Sequence, residues 1–137
     1  MIATLKAQLG EKVNTDSAVL EAHGKDSIYP EVYPALAVVF AESIEDVQSV
    51  LAWSRENSTP VIPFGAGSSL EGNLTPQMPV VSLDLSRMNH ILEIRPEDFL
   101  VVVEPGVTRE ALSGALRDYG LFFSVDPGAN ASLGGMA

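Results

Sequence analysis

The chain has 137 residues, of which 46% are hydrophobic and 19% charged, a composition typical of one folded domain that excludes disordered and low-complexity proteins. Acidic residues outnumber basic ones 18 to 8, and the net charge of −10 has the wrong sign for a nucleic-acid partner. The absence of cysteine excludes disulfides and thiolate metal sites, and with only His23 and His90 as neutral ligands we expect no metal.

The first 34 residues are predicted to form a helical and extended segment ahead of the main domain. Helical patterns cover residues 2–9 and 16–22, and Gly24 follows the second, where glycine permits a left-handed helix exit. Residues 29–34 are predicted to be extended, because each proline disfavours helix in the residue before it. This segment has no apolar run long enough for a signal peptide, so we expect a cytoplasmic protein.

Residues 35–137 are predicted to form one α+β domain, a small mixed sheet with helices on one side. The predicted strands cover residues 37–40, 61–63, 79–85, 91–95 and 100–104. The short turns between the last three favour antiparallel pairing. One predicted helix is capped by Ser43 and ends near Asn57, and the other is capped by Thr108 and ended by Gly120. Residues 121–123 are predicted to return the chain to the sheet.

A glycine-rich loop follows the strand at 61–63. It contains Gly65, Ala66, Gly67, Ser68, Ser69 and Gly72. Glycines can turn several backbone amides toward one point, and with the serine hydroxyls such a loop suits phosphate oxygens. The alternative is a connection that needs glycine for steric reasons alone.

Two well-known phosphate-binding loops are excluded. A Walker loop needs a lysine, and no lysine or arginine lies between Glu56 and Ser86. A Rossmann loop opens directly into a helix, which Pro76 and Pro79 prevent here. The remaining possibility is a pyrophosphate held by backbone amides and hydroxyls where several loops converge.

Two further glycine-containing loops are candidates for that convergence. The second loop, residues 103–107, joins a strand to the helix that begins after Thr108, so its amides lie beside a positive helix end. The third loop, residues 126–135, is built of small residues that allow close approach to the backbone. It is either a binding loop or a frayed chain end.

The order of these motifs resembles a known family. The sequence contains Pro-Phe-Gly-Ala-Gly-Ser-Ser-Leu-Glu-Gly, then Asp-Leu-Ser-Arg-Met-Asn, Val-Glu-Pro-Gly-Val, Val-Asp-Pro-Gly-Ala and Ser-Leu-Gly-Gly-Met-Ala. This order resembles the FAD-binding domain of the vanillyl-alcohol-oxidase type, also called the p-cresol-methylhydroxylase (PCMH) type. The motifs are most similar to FAD-linked D-lactate dehydrogenases of the cytochrome-reducing kind, with glycolate oxidase flavin subunits close behind. The resemblance runs from about Glu21 to Ala137.

The resemblance implies that the three loops bind FAD. The FAD pyrophosphate would be lined by Gly65, Ala66, Gly67, Ser68, Ser69 and Gly72. The adenine end would lie near Pro105, Gly106 and Val107. The rest of the cofactor would lie along Pro127, Gly128, Ser132, Leu133, Gly134 and Gly135. Some members attach FAD through a histidine at the position of Ser68, so we expect non-covalent FAD here.

The resemblance also implies that this is the N-terminal part of a longer enzyme, with the flavin domain cut after Ala137. The full enzyme would move hydride from C2 of a small 2-hydroxy acid to FAD, using a base and cations from a later substrate domain. We therefore expect no catalytic residue here, and His23 and His90 to be ordinary surface or packing residues. The electron acceptor is unspecified.

Three further expectations concern the isolated chain and its alternatives. The chain alone should be inactive and should self-associate through exposed sheet edges. The full-length enzyme would be cytoplasmic or attached peripherally to a membrane. The alternative functions are a non-catalytic α+β binding module with a degenerate flavin fold, and an FAD-dependent reductase of cell-wall precursors.

Overall fold

The computed structural model describes residues 1–26, 28 and 31–137. Its helices are α1 (Ile2–Leu9), α2 (Ser17–Ala22), α3 (Ile44–Asn57), α4 (Arg109–Leu116) and α5 (Leu133–Met136). Its strands are β1 (Val13–Asn14), β2 (Ala37–Phe40), β3 (Val61–Phe64), β4 (Val81–Asp84), β5 (Ile91–Arg95) and β6 (Leu100–Val103). The predicted α+β class is confirmed.

The chain caps its helices as the sequence predicts. The Ser43 hydroxyl accepts a hydrogen bond from the amide of Asp46 at the start of α3, and the Thr108 hydroxyl accepts one from Ala111 at the start of α4. The extended connector predicted over residues 29–34 includes Tyr29 and Pro30, which lie outside the described residues. Residues 31–34 belong to neither a helix nor a strand.

Four strands form the first sheet in the order β1-β2-β4-β3. β4 pairs in parallel with β2 and β3 on either side, while β1 pairs antiparallel with β2. The antiparallel pairing predicted for residues 79–85 is therefore wrong. The connection over residues 65–80 is long enough for the chain to cross over and enter the sheet in the same direction as its neighbours.

The helices cover both faces of the first sheet, so the prediction of helices on one side is also wrong. Leu5 of α1 and Trp53 of α3 pack with Val39 of β2 and Leu83 of β4 in one buried core. Side chains alternate along a strand, so the residues next to Val39 and Leu83 point to the opposite face. On that face His23, at the end of α2, contacts strand side chains.

The second sheet is a hairpin of β5 and β6, which pair antiparallel as predicted. One face of the hairpin packs against α4. Leu112, Leu116 and Val107 form the buried centre of this core, with Ile94 and Val101 against it. Hydrophobic positions at helical spacing on α4 thus place the second loop beside the hairpin.

Residues 121–123 form no strand, contrary to prediction. Gly120 adopts a left-handed conformation with φ of 69°, and the amide of Leu121 then donates to the carbonyl of Leu116 at 3.2 Å. Leu121 and Phe123 pack against the second core. The chain therefore folds back over the end of α4 instead of reaching a sheet edge. Over the described part of the chain, no helix is both long and apolar enough to cross a membrane.

Candidate functional site

A cavity of about 510 Å³ lies between the first and third loops, beyond the carboxyl end of β3. The first loop contributes Gly65, Ala66, Gly67, Ser68, Ser69, Leu70, Glu71, Asn73 and Leu74, together with Ile62 and Pro63. The third loop contributes Pro127, Ser132, Gly134 and Gly135. Loops that are about sixty residues apart in the sequence thus enclose one space.

The second loop joins the same site through two smaller cavities. One, of about 250 Å³, is lined by Gly65, Ala66, Ser86, Asn89, Gly106, Val107, Thr108, Ala111 and Ser132. The other, of about 100 Å³, is lined by Pro63, Phe64, Gly65, Leu85, Pro105, Ser132, Gly134 and Gly135. Gly65 and Ser132 line all three cavities, which are therefore parts of one groove where the three loops converge.

Backbone hydrogen bonds hold the second and third loops together. The amide of Leu133 donates to the carbonyl of Val107 at 2.8 Å, and the amide of Gly134 donates to Pro105 at 2.9 Å. Thr108 and Ser132 form an isolated β-bridge. The frayed-end alternative for the third loop is therefore wrong for residues 132–136, which are bonded to the second loop and continue into α5.

Glycine leaves room at three points where the loops approach one another. A Cβ on Gly65 would overlap the hydroxyl of Ser132, and one on Gly134 would lie 2.7 Å from the Cβ of Pro105. Gly106 packs against the carbonyls that follow β4, and its amide donates to Met88 at 2.7 Å. The steric requirement at Gly65 thus arises from the approach of the third loop, so the two sequence alternatives for the first loop are compatible.

Most of the predicted cofactor-binding residues line the groove, but three do not. The amide of Gly72 donates to the Asp26 carboxylate at 3.1 Å, so Asp26 already occupies that donor. Gly128 is exposed, and its amide donates to the side chain of Asp126 at 3.0 Å in a local turn. Leu133 packs against the second core.

The groove also has polar residues that the sequence analysis did not assign. Ser86 and Asn89 line the 250 Å³ cavity beside Thr108, which had been assigned only as a helix cap. Ser86 and Asn89 belong to the Asp-Leu-Ser-Arg-Met-Asn motif that contributes to the family resemblance. That motif was the signal that could have identified them.

The groove presents hydroxyls, two amide side chains and backbone amides without a cationic side chain among its described lining residues. Glu71 is the one charged residue that lines it. The first turn of α4 borders the 250 Å³ cavity, and the partial positive charge of a helix start favours an anion there. The described residues contain no cluster of His, Asp or Glu side chains suited to a metal ion.

Neither histidine lines the groove. His90 is exposed and pairs with Glu104 at 2.7 Å. His23 is packed between Phe40 and Phe64, and its Nε2 lies 2.8 Å from Oδ2 of Asp84. Burial lowers the pKa of His23, but hydrogen bonds to Asp84 and to the carbonyl of Val19 outweigh it, so the pKa lies above its ordinary value.

Comparison with known proteins decides the family. Residues 35–137 match the model of the family described as the FAD binding domain. The chain belongs to the FAD-binding domain family. The resemblance inferred from the three loops is thereby confirmed, and FAD is the cofactor that this family binds.

Relatives of this FAD-binding domain include proteins named as D-lactate and D-2-hydroxyglutarate dehydrogenases. A probable mitochondrial D-lactate dehydrogenase of Danio rerio is 41% identical over 138 residues, covering 100% of this chain and 28% of the relative. A D-2-hydroxyglutarate dehydrogenase of Stutzerimonas stutzeri is 33% identical, covering 84% of this chain and 25% of the relative. The chain thus spans about a quarter of the length of these relatives.

Solved structures support the same fold. p-Cresol methylhydroxylase with bound substrate is 31% identical, with a TM-score of 0.71 over 88% of this chain and 24% of its own. An alkyldihydroxyacetonephosphate synthase has a TM-score of 0.86 over 98% of this chain and 28% of its own. Its identity is 22%, so that similarity establishes the fold alone. The predicted PCMH-type fold is confirmed.

Proposed function

We propose that this FAD-binding domain belongs to a dehydrogenase that oxidises a small D-2-hydroxy acid of the D-lactate class. The observation that carries the proposal is the convergence of three glycine-containing loops on one groove without cations. The 41% identity to a probable D-lactate dehydrogenase over the whole chain supports the substrate class.

The residues of the groove fit FAD without needing a basic side chain. A pyrophosphate can be bound by backbone amides and hydroxyls, and the first loop offers both at Ser68 and Ser69 beside Gly67. The first and third loops meet where Gly65 approaches Ser132, and they line the 510 Å³ cavity from two sides. An extended cofactor can therefore lie between them. The fit rests on donors and space rather than on charge pairing.

We assign the three loops to three parts of the cofactor. The pyrophosphate contacts would come from Gly65, Ala66, Gly67, Ser68 and Ser69, with Gly72 shaping the loop. The adenine end would lie near Pro105, Gly106 and Val107, with Ser86, Asn89 and Thr108 added from the structure. The remaining cofactor would lie along Pro127, Ser132, Gly134 and Gly135, the predicted third-loop residues that line the groove. Ser68 provides no ring nitrogen for covalent attachment, so the binding would be non-covalent.

The chemistry that FAD supplies when bound is the acceptance of hydride from C2 of the hydroxy acid. The role of the present residues is to bind and orient the cofactor. A base must still remove the hydroxyl proton, and the described residues offer no candidate: His23 is engaged with Asp84, and His90 lies outside the groove. We therefore assign the base and the carboxylate-binding cation to residues outside this chain.

A second substrate class follows from one specific observation. The 33% identity to a D-2-hydroxyglutarate dehydrogenase favours a larger dicarboxylic hydroxy acid as the alternative substrate. The glycolate class, the non-catalytic binding module and the cell-wall precursor reductase gain no support from the relatives described above. Two of the similar D-lactate dehydrogenases are named as mitochondrial, so these relatives do not support a cytoplasmic location. That location, with peripheral membrane attachment as its variant, stays a prediction.

The test uses the purified full-length protein that contains this chain. We expect a flavin absorption spectrum whose chromophore is released by denaturation, as non-covalent FAD requires, and dye reduction that depends on D-lactate. L-lactate is the matched control, and D-2-hydroxyglutarate distinguishes the second substrate class. A protein without flavin, or one that reduces the dye equally with both lactate enantiomers, would contradict the proposal.

A further inference from the structure

His23 lies on the face of the first sheet that is opposite the α1 and α3 core, in contact with Phe64, which lines the 100 Å³ cavity. Its ring centroid is 4.2 Å from that of Phe64, the residue before Gly65, and 5.7 Å from that of Phe40. These phenylalanines end β3 and β2, and Asp84 ends β4 between them. His23 therefore contacts the carboxyl ends of three parallel strands, where the first loop begins after β3 and the turn with Ser86 begins after β4.

Both ring nitrogens of His23 face oxygen atoms. Nδ1 lies 2.9 Å from the carbonyl of Val19, and Nε2 lies 2.8 Å from Oδ2 of Asp84. A carbonyl and an ionised carboxylate only accept hydrogen bonds, so this geometry suits an imidazolium that donates from both nitrogens. The His23 and Asp84 side chains are only 9% and 5% exposed, so the pair is shielded from solvent.

Asp84 links His23 to the wall of the groove. Its second oxygen, Oδ1, accepts a hydrogen bond from the amide of Ser86 at 2.8 Å. Ser86 lines the 250 Å³ cavity. His23 thus fixes the orientation of a carboxylate that in turn fixes a backbone segment of the cavity wall.

Asp26, three residues after His23, makes the equivalent contact with the first loop. Asp26 is 8% exposed, and its Oδ2 accepts from the amide of Gly72 at 3.1 Å while Oδ1 accepts from Ile28 at 3.0 Å. Gly72 has φ of 75°, a conformation that favours glycine. Asp26 therefore holds the far end of the first loop in a left-handed turn.

The backbone between these two residues is closely packed. The carbonyl of Gly24 accepts a hydrogen bond from the amide of Tyr33 at 2.8 Å. A Cβ on Gly24 would overlap the carbonyl of Tyr33. His23 and Asp26 therefore lie on a segment that is itself held in place, which is what a positioning role requires.

We propose that His23 and Asp26, which precede the matched residues 35–137, are positioning residues of the FAD site: His23 acts through Asp84 on Ser86, and Asp26 acts on Gly72. The inference rests on the proposed function, because it assigns the two residues to the same cofactor groove. It extends the site to a segment that the family model does not include.

The first experiment compares His23→Gln with His90→Gln in the full-length protein. Both substitutions break a histidine–carboxylate pair, but the His23 pair is buried and bonded to the amide of Ser86, whereas the His90 side chain is exposed. Because Asp84 loses its charged donor and no longer holds the amide of Ser86 in place, we expect the FAD dissociation constant of His23→Gln to rise about tenfold or more. Amide hydrogen exchange at Ser86 should accelerate, and His90→Gln should change neither quantity.

The second experiment uses Asp26→Ala, which removes the acceptor for Gly72. Amide exchange should accelerate at Gly72 but not at Ser86, and FAD should bind more weakly. This pattern separates a local positioning effect from a general loss of stability, which would raise exchange at both amides.

The third experiment uses pH and keeps the shape of the pair. The charged groups around His23 are Asp84 from β4 and, across the ring of Phe40, Arg87, which pairs with Glu42. FAD affinity should fall as pH rises and His23 loses its proton. In Asp84→Asn, a neutral histidine can still meet the side-chain amide, so this fall should disappear while the protein remains folded.

The outcomes separate this inference from the proposed function. A wild-type protein that binds no FAD would refute both. A wild-type protein that binds FAD, with unchanged affinity in His23→Gln and Asp26→Ala, would refute the positioning role alone. Should His23→Gln fail to fold, a fall in affinity with pH that persists in Asp84→Asn would also overturn it.

Discussion

The two sheets differ in how completely they are enclosed. All four residues of β4 in the first sheet are buried, including Ser82 and Asp84. In the hairpin, burial alternates along β6, where Leu100 and Val102 are exposed while Val101 packs against α4. The stability of a strand that is buried on both faces depends on packing against both of them. The stability of a half-exposed strand depends on packing against one face. The groove lies where the enclosed region meets the half-enclosed one.

The largest effect should come from removing a buried leucine in the enclosed region. Leu5 and Leu112 are both 0% exposed, one in each core, so Leu5→Ala and Leu112→Ala form a matched pair. Each should lower the free energy of unfolding by about 2 to 5 kcal/mol, with Leu5→Ala at the upper end, because the larger core can collapse less around the cavity. Urea denaturation measures this difference, and a larger loss in Leu112→Ala would contradict it.

A smaller effect is expected at the junction of the two regions. A Cβ on Gly106 would meet the carbonyls of Leu85, Ser86 and Met88, which are backbone atoms and cannot rotate away. Gly106→Ala should therefore destabilise the fold by about 1 to 3 kcal/mol. Gly114→Ala is the control, because a Cβ there meets no atom within 4 Å, and alanine in a helix should stabilise by about 0.5 to 1 kcal/mol. Equal midpoints of thermal unfolding would contradict this account of the junction.

The His23–Asp84 pair in the enclosed region allows a test by pH. The pKa of His23 is raised above its ordinary value of 6.5, so its contribution to stability is complete below about 6.5 and is lost as pH rises through the higher folded pKa. Burial raises the pKa of Asp84, but hydrogen bonds from His23 and Ser86 outweigh it and leave the pKa lowered, so its contribution is lost on acidification. The unfolding midpoint of the wild-type protein should fall as the pH rises through the folded pKa of His23. The midpoint of Asp84→Asn should show no such fall. An identical profile in both would contradict the ion pair.

The sequence predicted most helices and strands of the chain but not how the first sheet assembles. Ser43 and Thr108 identified two helix starts correctly, because capping depends on residues a few positions apart. The parallel placement of β4 depends on contacts across the long connection at 65–80, and no local signal records them. Leu121 and Phe123 have strand-like side chains, yet they pack on α4 because Gly120 turns the chain.

The candidate site was predictable in its loops and less so in its supports. Glycine spacing and motif order identified the loops that converge, since those residues adjoin the groove itself. Asp26 and His23 act from a distant part of the chain, and neither belongs to a recognisable motif. Gly72 shows the same limit, because the carboxylate that accepts a hydrogen bond from its amide belongs to Asp26, 46 residues earlier in the chain.

The smallest effect should appear on the outer face of the hairpin. Val102 is 40% exposed, so Val102→Thr should change the free energy of unfolding by no more than about 0.5 kcal/mol. Self-association of the isolated chain through exposed sheet edges stays a prediction; if this face also takes part, association should decrease in Val102→Thr. Analytical ultracentrifugation compares the two proteins, and unchanged association would exclude this face as the contact.

The most direct test of the three-loop account is an FAD titration of the full-length protein with Gly65→Ala and Gly114→Ala. Both changes add one methyl group, but at Gly65 it would enter the contact with Ser132 that all three cavities share. The account predicts that Gly65→Ala retains the wild-type circular dichroism and weakens FAD binding about tenfold or more, because the added methyl group displaces Ser132 and narrows the shared groove, while Gly114→Ala binds FAD like wild type. Wild-type FAD affinity in a folded Gly65→Ala protein would contradict the account.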